Sequence, residues 1–181
     1  GNLFTISQSN MKQDYTQVAP VVHEAVDILQ RAASNKSGLT GIPTGYTGMD
    51  EMTSGWQASD LVIIAGRPAM GKTSFALSIA KNVAVDYNVP VGFFSLEMNN
   101  VQLVNRLISN VCEISGHKIL NGQLDPSDWK KLDSRIGQLT SAPIFVDDTP
   151  GLSIFELRTK ARRLVREKGV KLIMIDYLQL M

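Results

Sequence analysis

Eight consecutive residues, Gly66-Arg67-Pro68-Ala69-Met70-Gly71-Lys72-Thr73, have the G-x-x-x-x-G-K-T spacing of a phosphate-binding loop. Gly66 and Gly71 allow backbone angles and a close approach that a Cβ blocks. Gly66, Arg67, Pro68, Ala69, Met70, Gly71, Lys72, Thr73 and Ser74 form the nucleotide cradle, in which the loop N–H groups (Pro68 has none) and the following helix N-terminus point at phosphate oxygens. Lys72 then reaches the β- and γ-phosphates, and Thr73 ligates Mg²⁺. ATP with Mg²⁺ is the ligand set this chemistry implies. The apolar run Leu61-Val62-Ile63-Ile64-Ala65 before the loop reads as a buried parallel strand. Ser74–Lys81 after it has apolar residues at helical spacing, so strand, loop and helix occur in the required order.

Two acids sit where such a site needs them. Ile173-Met174-Ile175-Asp176 is an apolar strand ending in a carboxylate, which in phosphate-loop NTPases holds Mg²⁺ beside the loop threonine. Phe93-Phe94-Ser95-Leu96-Glu97 puts a second carboxylate at the carboxyl edge of the sheet, where ligands bind. Glu97 can orient or deprotonate the water that attacks the γ-phosphate. It can equally be a helix N-terminal acid facing the dipole, and spacing alone does not choose. Asp147 and Asp148 follow another strand at the same edge; they can contact metal-bound water, but capping of the next loop is the favoured reading. The basic cluster Lys160, Arg162, Arg163, Arg166 and Lys168 reads as a solvated helix face rather than a nucleic-acid contact. His23 and His117 have no partners at transition-metal ligand spacing.

The elements that position these groups alternate. A helical stripe of Val22, Ala25, Val26, Leu29, Ala32 and Ala33 predicts a helix over 18–34, preceded by a flexible polar lead-in (1–17) and followed by a linker reaching residue 40. A Gly- and Thr-rich stretch from Gly41 leads to a short turn at Asp50-Glu51-Met52. Strands are predicted over 61–65, 89–95, 143–147 and 171–176, and helices over 74–81 and 101–112. Asp125 followed by Pro126 opens a further helix, and the box Ser153/Glu156 opens another that stops at Gly169. On that last helix Leu157, Ala161, Leu164 and Val165 form the apolar face. Alternation of strand and helix implies an α/β fold with a mostly parallel sheet flanked by helices.

Composition is that of a globular domain: 181 residues, 44% hydrophobic, 19% charged, with 18 basic against 17 acidic side chains for a net charge of +1. That balance neither demands nor excludes nucleic acid. Cys112, the only cysteine, lies in an apolar helical pattern and reads as a core thiol. No apolar run approaches a membrane span, and a reducing cytoplasmic setting is the default.

Gly41-Ile42-Pro43-Thr44-Gly45-Tyr46, the phosphate loop with its internal Arg-Pro, Phe94-Ser95-Leu96-Glu97-Met98 and Met174-Ile175-Asp176-Tyr177-Leu178-Gln179-Leu180-Met181 together resemble the DnaB-type replicative DNA helicases. The resemblance runs from about residue 16 to the end. It implies a RecA-like P-loop NTPase core over 41–181, and a linker helix over 18–34 that docks on the neighbouring protomer of a homo-hexameric ring. It implies ATP-driven unwinding on single-stranded DNA, with primase and a helicase loader as partners. Lys72 and Thr73 take the nucleotide and Mg²⁺ roles, Glu97 the catalytic carboxylate, and Asp176 the Mg²⁺-side acid. Asn99-Asn100 departs from the Pro-containing sequence often found after that Glu-Met.

Segments that the family uses for subunit joining, DNA contact and the arginine finger are absent from these 181 residues, so the chain reads as a fragment of a motor. A RecA-like recombination or repair ATPase that forms filaments is the alternative; it would share the phosphate loop and Glu97 but not Asp176-Tyr177-Leu178-Gln179-Leu180. A small-molecule kinase would need lid and substrate-binding segments, which the sequence does not show. In RecA-like sheets the strand after the Asp176 strand inserts between it and the phosphate-loop strand. Without it, 61–65 and 172–176 are expected to face each other across a slot about one strand wide. That slot is expected to be filled by a strand donated by another chain, closed by direct pairing of the two strands, or filled by residues beyond these 181.

Overall fold

The computed structural model describes residues 17–34 and 38–177. Residues 1–16, where the lead-in is expected, lie outside the described residues, as do 178–181 of the Tyr-Leu-Gln-Leu-Met end. The chain divides into two units between Leu39 and Thr40. The first contributes one helix, α1 (Val18–Ser34), over the span its stripe predicts, with Val22, Val26 and Leu29 exposed. No helix among the described residues is long and apolar enough to cross a membrane.

The second unit is built on three parallel strands in the order β2-β1-β3: β1 (Val91–Ser95), β2 (Ile144–Asp147) and β3 (Leu172–Asp176). Every residue of β1 is buried, as a central parallel strand covered on both faces requires. Alternate side chains take opposite faces. Phe93 packs with Leu77, Ile79, Ala80, Val83, Leu103 and Leu107 in the main core. Phe94 packs on the other side with Leu152 and Leu157, joined by Ala161, Leu164, Ile173 and Ile175.

The helices of the first face are α3 (Lys72–Lys81), which continues into a π-type turn (Asn82–Asp86), and α4 (Asn100–Cys112). The turn is closed by Tyr87 N–H donating to the Asn82 carbonyl at 3.3 Å. Two shorter pieces flank them, α2 (Thr47–Thr53) and α5 (Gly116–Asn121), followed by α6 (Pro126–Ser141). Neither α5 nor the π turn is anticipated by the periodicity. Cys112 is fully buried beside Val111 and Ile114, where α4, α5 and α6 meet, and burial raises its thiol pKa. The second face is covered by α7 (Ile154–Lys168), capped by Ser153 and Glu156 and ended by Gly169 as the sequence predicts. Val165, placed on its apolar face by periodicity, is half exposed instead.

The Gly41–Tyr46 stretch has a structural explanation. Thr44 and Asp50 are both buried, and Asp50 accepts from Thr44 N–H and Oγ1–H at 2.8 Å each and from Gly45 N–H at 3.1 Å. Asn82 Nδ2 donates to the Thr44 carbonyl at 3.1 Å, and the Tyr46 ring lies 5.2 Å from that of Phe75. Gly45 has φ +80°, and a Cβ there would meet the Asn82 side chain at 2.5 Å. The knot therefore ties this stretch to the helix that follows the phosphate loop.

One expected strand is missing. Residues 61–65 are exposed and form no strand, and the direct pairing expected with 172–176 does not occur. No segment of the described chain fills the slot, and 61–65 does not pair with β3. A cavity of ~540 Å³ lies between them, lined by Leu61 to Gly66 on one side and Lys171 to Tyr177 on the other. The physical reason is that a strand is defined by its partner: without a neighbouring ladder an apolar run has nowhere to place its backbone N–H and C=O groups.

Two outcomes follow. In hydrogen exchange on this 181-residue chain, the amides of 61–65 exchange near the unprotected rate while those of β1 are protected; protection equal to β1 would show the segment paired in solution. Asp50→Ala removes one charged acceptor from three donors and lowers unfolding stability by about 3 kcal/mol. Urea unfolding reads it, and a loss below ~1 kcal/mol would mean water replaces the carboxylate at little cost.

Candidate functional site

The phosphate loop is formed by local backbone choices. Gly71 has φ +84° and caps α3, and Ala69 also sits at positive φ, at +63°. Met70 N–H donates to the Arg67 carbonyl at 3.2 Å, and Phe75 N–H to that of Gly71 at 2.9 Å. A Cβ on Gly66 would lie 3.3 Å from Lys72 Cγ, so the lysine stem folds back across that glycine. Gly66, Arg67, Pro68, Ala69, Met70 and Gly71 are exposed, and Lys72 and Thr73 are half-buried at the start of α3. Lys72 Nζ stands over the Tyr177 ring, 5.6 Å from its centroid. Ser74 Oγ accepts from Arg106 Nη1 of α4 at 3.3 Å.

The sheet brings the two acids to one edge. Ser95, the last residue of β1, is in register with Asp176, the last of β3, and Leu96 N–H donates to the Asp176 carbonyl at 2.8 Å. Asp176 is buried, and its Oδ2 has no hydrogen-bond partner. A buried carboxylate oxygen with no donor is costly unless a cation faces it. Among the described residues no group of three or more His, Cys, Asp or Glu side chains is placed to hold a metal ion, so protein side chains alone would not complete the coordination of Mg²⁺ at Asp176.

Glu97 lies in the turn between β1 and α4. It is exposed, and no hydrogen bond or ion pair among the described residues engages it. It is not the cap of the helix that follows. Asn99 caps α4, accepting from Gln102 N–H at 2.9 Å while Gln102 Oε1 accepts from Asn99 N–H at 3.2 Å. That N-x-x-Q pattern was readable in the sequence. Ser95 Oγ accepts from Met98 N–H at 3.0 Å and closes the turn.

Lys72 and Asp176 both belong to the lining of the ~540 Å³ cavity, whereas Thr73 and Glu97 do not. Its other walls are the apolar side chains of 61–64 and 172–175, so it is the open slot of the sheet rather than a phosphate pocket.

Asp147 and Asp148 are engaged within loops. Asp147 accepts from Thr149 N–H at 3.0 Å, Thr149 Oγ1–H at 2.6 Å and Lys160 Nζ at 2.7 Å. Burial opposes its ionisation, but the Lys160 and Thr149 bonds outweigh that and hold its pKa below the usual value. Asp148 bonds Asn100 of α4, a link between loops that spacing could not reveal. Within the basic cluster Lys160 is thus an ion-pair partner, and Arg163 faces Glu167 one turn on at 3.9 Å.

A phosphate loop heading a helix, beside a parallel sheet whose strand ends present two acids, defines the RecA-like P-loop class. A family model for the DnaB-like helicase C terminal domain matches residues 41–181, and the chain belongs to that family. It is 42% identical over 178 residues to the replicative DNA helicase DnaB of Geobacillus stearothermophilus, covering 98% of this chain and 39% of that protein. It is 41% identical to the replicative DNA helicase DnaC of Bacillus subtilis (strain 168), with the same coverage of 98% and 39%. The chain therefore spans about two-fifths of the length of these relatives. Among solved structures, one described as an ATPase domain superposes with a TM-score of 0.83 at 36% identity, over 92% of this chain and 59% of that one. A DnaB-like replicative helicase, described with its interactions with primase, gives 0.79 at 35%, over 98% and 42%.

The loop geometry makes Lys72 the one lysine folded across Gly66. Lys72→Ala weakens ATP binding at least tenfold, or ~1.4 kcal/mol. Isothermal calorimetry on the 181-residue chain measures it, and equal affinities for wild type and variant would remove Lys72 from the phosphate site.

Proposed function

We propose that this chain is part of the ATP-hydrolysing motor domain of a ring-forming replicative helicase that unwinds duplex DNA at the replication fork, in the cytoplasm. The observation that carries the reading is the β1–β3 register, which sets the Glu97 turn beside the carboxylate strand end at Asp176, at the sheet edge served by the phosphate loop. Lys72 neutralises charge on the β- and γ-phosphates, and the loop amides from Gly66 to Ser74 hold them. Thr73 and Asp176 hold Mg²⁺, and the orphaned Oδ2 of Asp176 supports that role. When bound, Mg²⁺ stabilises the charge that develops on the transferring phosphoryl group.

Glu97 accepts the proton of the attacking water. That no ion pair among the described residues engages it supports this, because a carboxylate neutralised by a lysine is a poorer base. The exposed stripe of α1 supports its docking on a neighbouring protomer of a hexamer, and primase, a helicase loader and single-stranded DNA are the partners proposed for the whole protein.

In the full-length protein containing this chain, Glu97→Gln keeps ATP affinity within a few-fold of wild type and lowers steady-state turnover by ~10²-fold or more. Hydrolysis within a few-fold of wild type would reduce Glu97 to a structural acid.

A further inference from the structure

The Glu97 side chain has no partner among the described residues, so its position is set by the backbone turn alone. That turn, Leu96 to Asn99, is fastened at two ends. At the β1 end Leu96 N–H donates to the Asp176 carbonyl at 2.8 Å, and Ser95 Oγ accepts from Met98 N–H at 3.0 Å. At the α4 end the fastening comes from another part of the sheet. Asp148 directly follows β2, whose last residue Asp147 is in register with Phe94 of β1. The Asp148 carboxylate spans Asn100, the first residue of α4: Oδ2 accepts from its backbone N–H at 2.8 Å and Oδ1 from its side-chain Nδ2 at 2.9 Å.

We infer that Asp148 is a positioning residue for the hydrolysis reaction, clamping the start of α4 so that the turn holds Glu97 toward the nucleotide. This rests on the reading of Glu97 as the base. Three features favour it over simple helix capping. The cap of α4 is already complete, made by Asn99 and Gln102. The bonds cross 48 residues of sequence, from one strand end to the turn beyond its neighbour, rather than closing a local loop. The clamp is also two-pronged, taking both the backbone N–H and the side-chain Nδ2 of Asn100, where a cap needs only the backbone N–H. The turn is thereby braced from β3 on one side and from the β2 loop on the other, with Glu97 between them. A small shift of a catalytic group is enough to cost a large factor in rate.

The test uses the full-length protein, with ATP affinity from calorimetry and kcat and KM from steady-state hydrolysis. Asp148→Ala is expected to lower kcat ~10- to 100-fold with KM and ATP affinity within about twofold of wild type. Asp148→Asn is expected to stay within about threefold in kcat, since its carbonyl still accepts the Asn100 N–H and its amide pairs with a flipped Asn100 side chain. Glu97→Gln is measured in parallel. If that variant turns over normally, the reading of Glu97 fails, whatever Asp148 does. If it is inactive while Asp148→Ala hydrolyses at the wild-type rate, or loses ATP affinity in step with kcat, the positioning role is overturned and Glu97 stands. If Asp148→Ala does not fold, Asp148→Ser is read by the same criteria. Failure of both to fold would make the carboxylate a structural cap and overturn the inference.

Discussion

The sheet of the second unit and its two helical layers hang on one buried strand. β1 is paired on both edges and covered on both faces, so no residue of Val91–Ser95 reaches solvent. Its two phenylalanines divide the core: Phe93 anchors the layer of α3 and α4, and Phe94 the layer of α7. Because side chains alternate, a slip of one residue would send each ring into the wrong layer. That register also sets where the two candidate acids lie, since the strand ends at the turn carrying Glu97 and aligns its last residue with Asp176. The core and the candidate site are therefore not separable: a change that loosens β1 loosens both.

The phosphate loop hangs on a different anchor. Its leading segment, 61–65, has no ladder, so the loop is held mainly from behind, through α3. α3 is seated by Leu77, Ile79 and Ala80 in the core and, through its π turn, by the Asn82 bond to Thr44. The Thr44–Asp50 knot thus acts on the nucleotide-binding loop at a distance, through a rigid helix. This gives the Gly41–Tyr46 motif a physical purpose although none of its residues carries a reactive group.

Much of this was legible in the sequence because it is local. The helix after the phosphate loop, the Asp125-Pro126 helix start and the Ser153/Glu156 box are each specified within a few residues, and each forms where the sequence puts it. The strand ends at Glu97 and Asp176 were legible as positions. Their shared edge follows from parallel pairing, which the alternation of elements implies. What failed was non-local. An apolar run such as Leu61–Ala65 signals the capacity to be a strand, but a strand is realised only with a partner. The six residues of α5 are too few for helical periodicity to register. Val165 fits the stripe of α7 yet is half exposed, because periodicity gives the direction of a side chain and not whether anything lies opposite it. The Asp148–Asn100 bond joins two loops 48 residues apart, and no spacing rule reaches that far.

Cys112 gives this unit a built-in clock. It is the sole thiol, buried at the corner where α4, α5 and α6 meet, and burial keeps it in the protonated, unreactive form. A soluble thiol reagent can reach it only when that corner opens. With reagent in excess, so that labelling outruns reclosing, the labelling rate counts openings of the corner, whether local or global. Because α4 also begins at the clamped turn that carries Glu97, the same rate, followed with and without nucleotide, reports whether the ligand stiffens the far end of that helix.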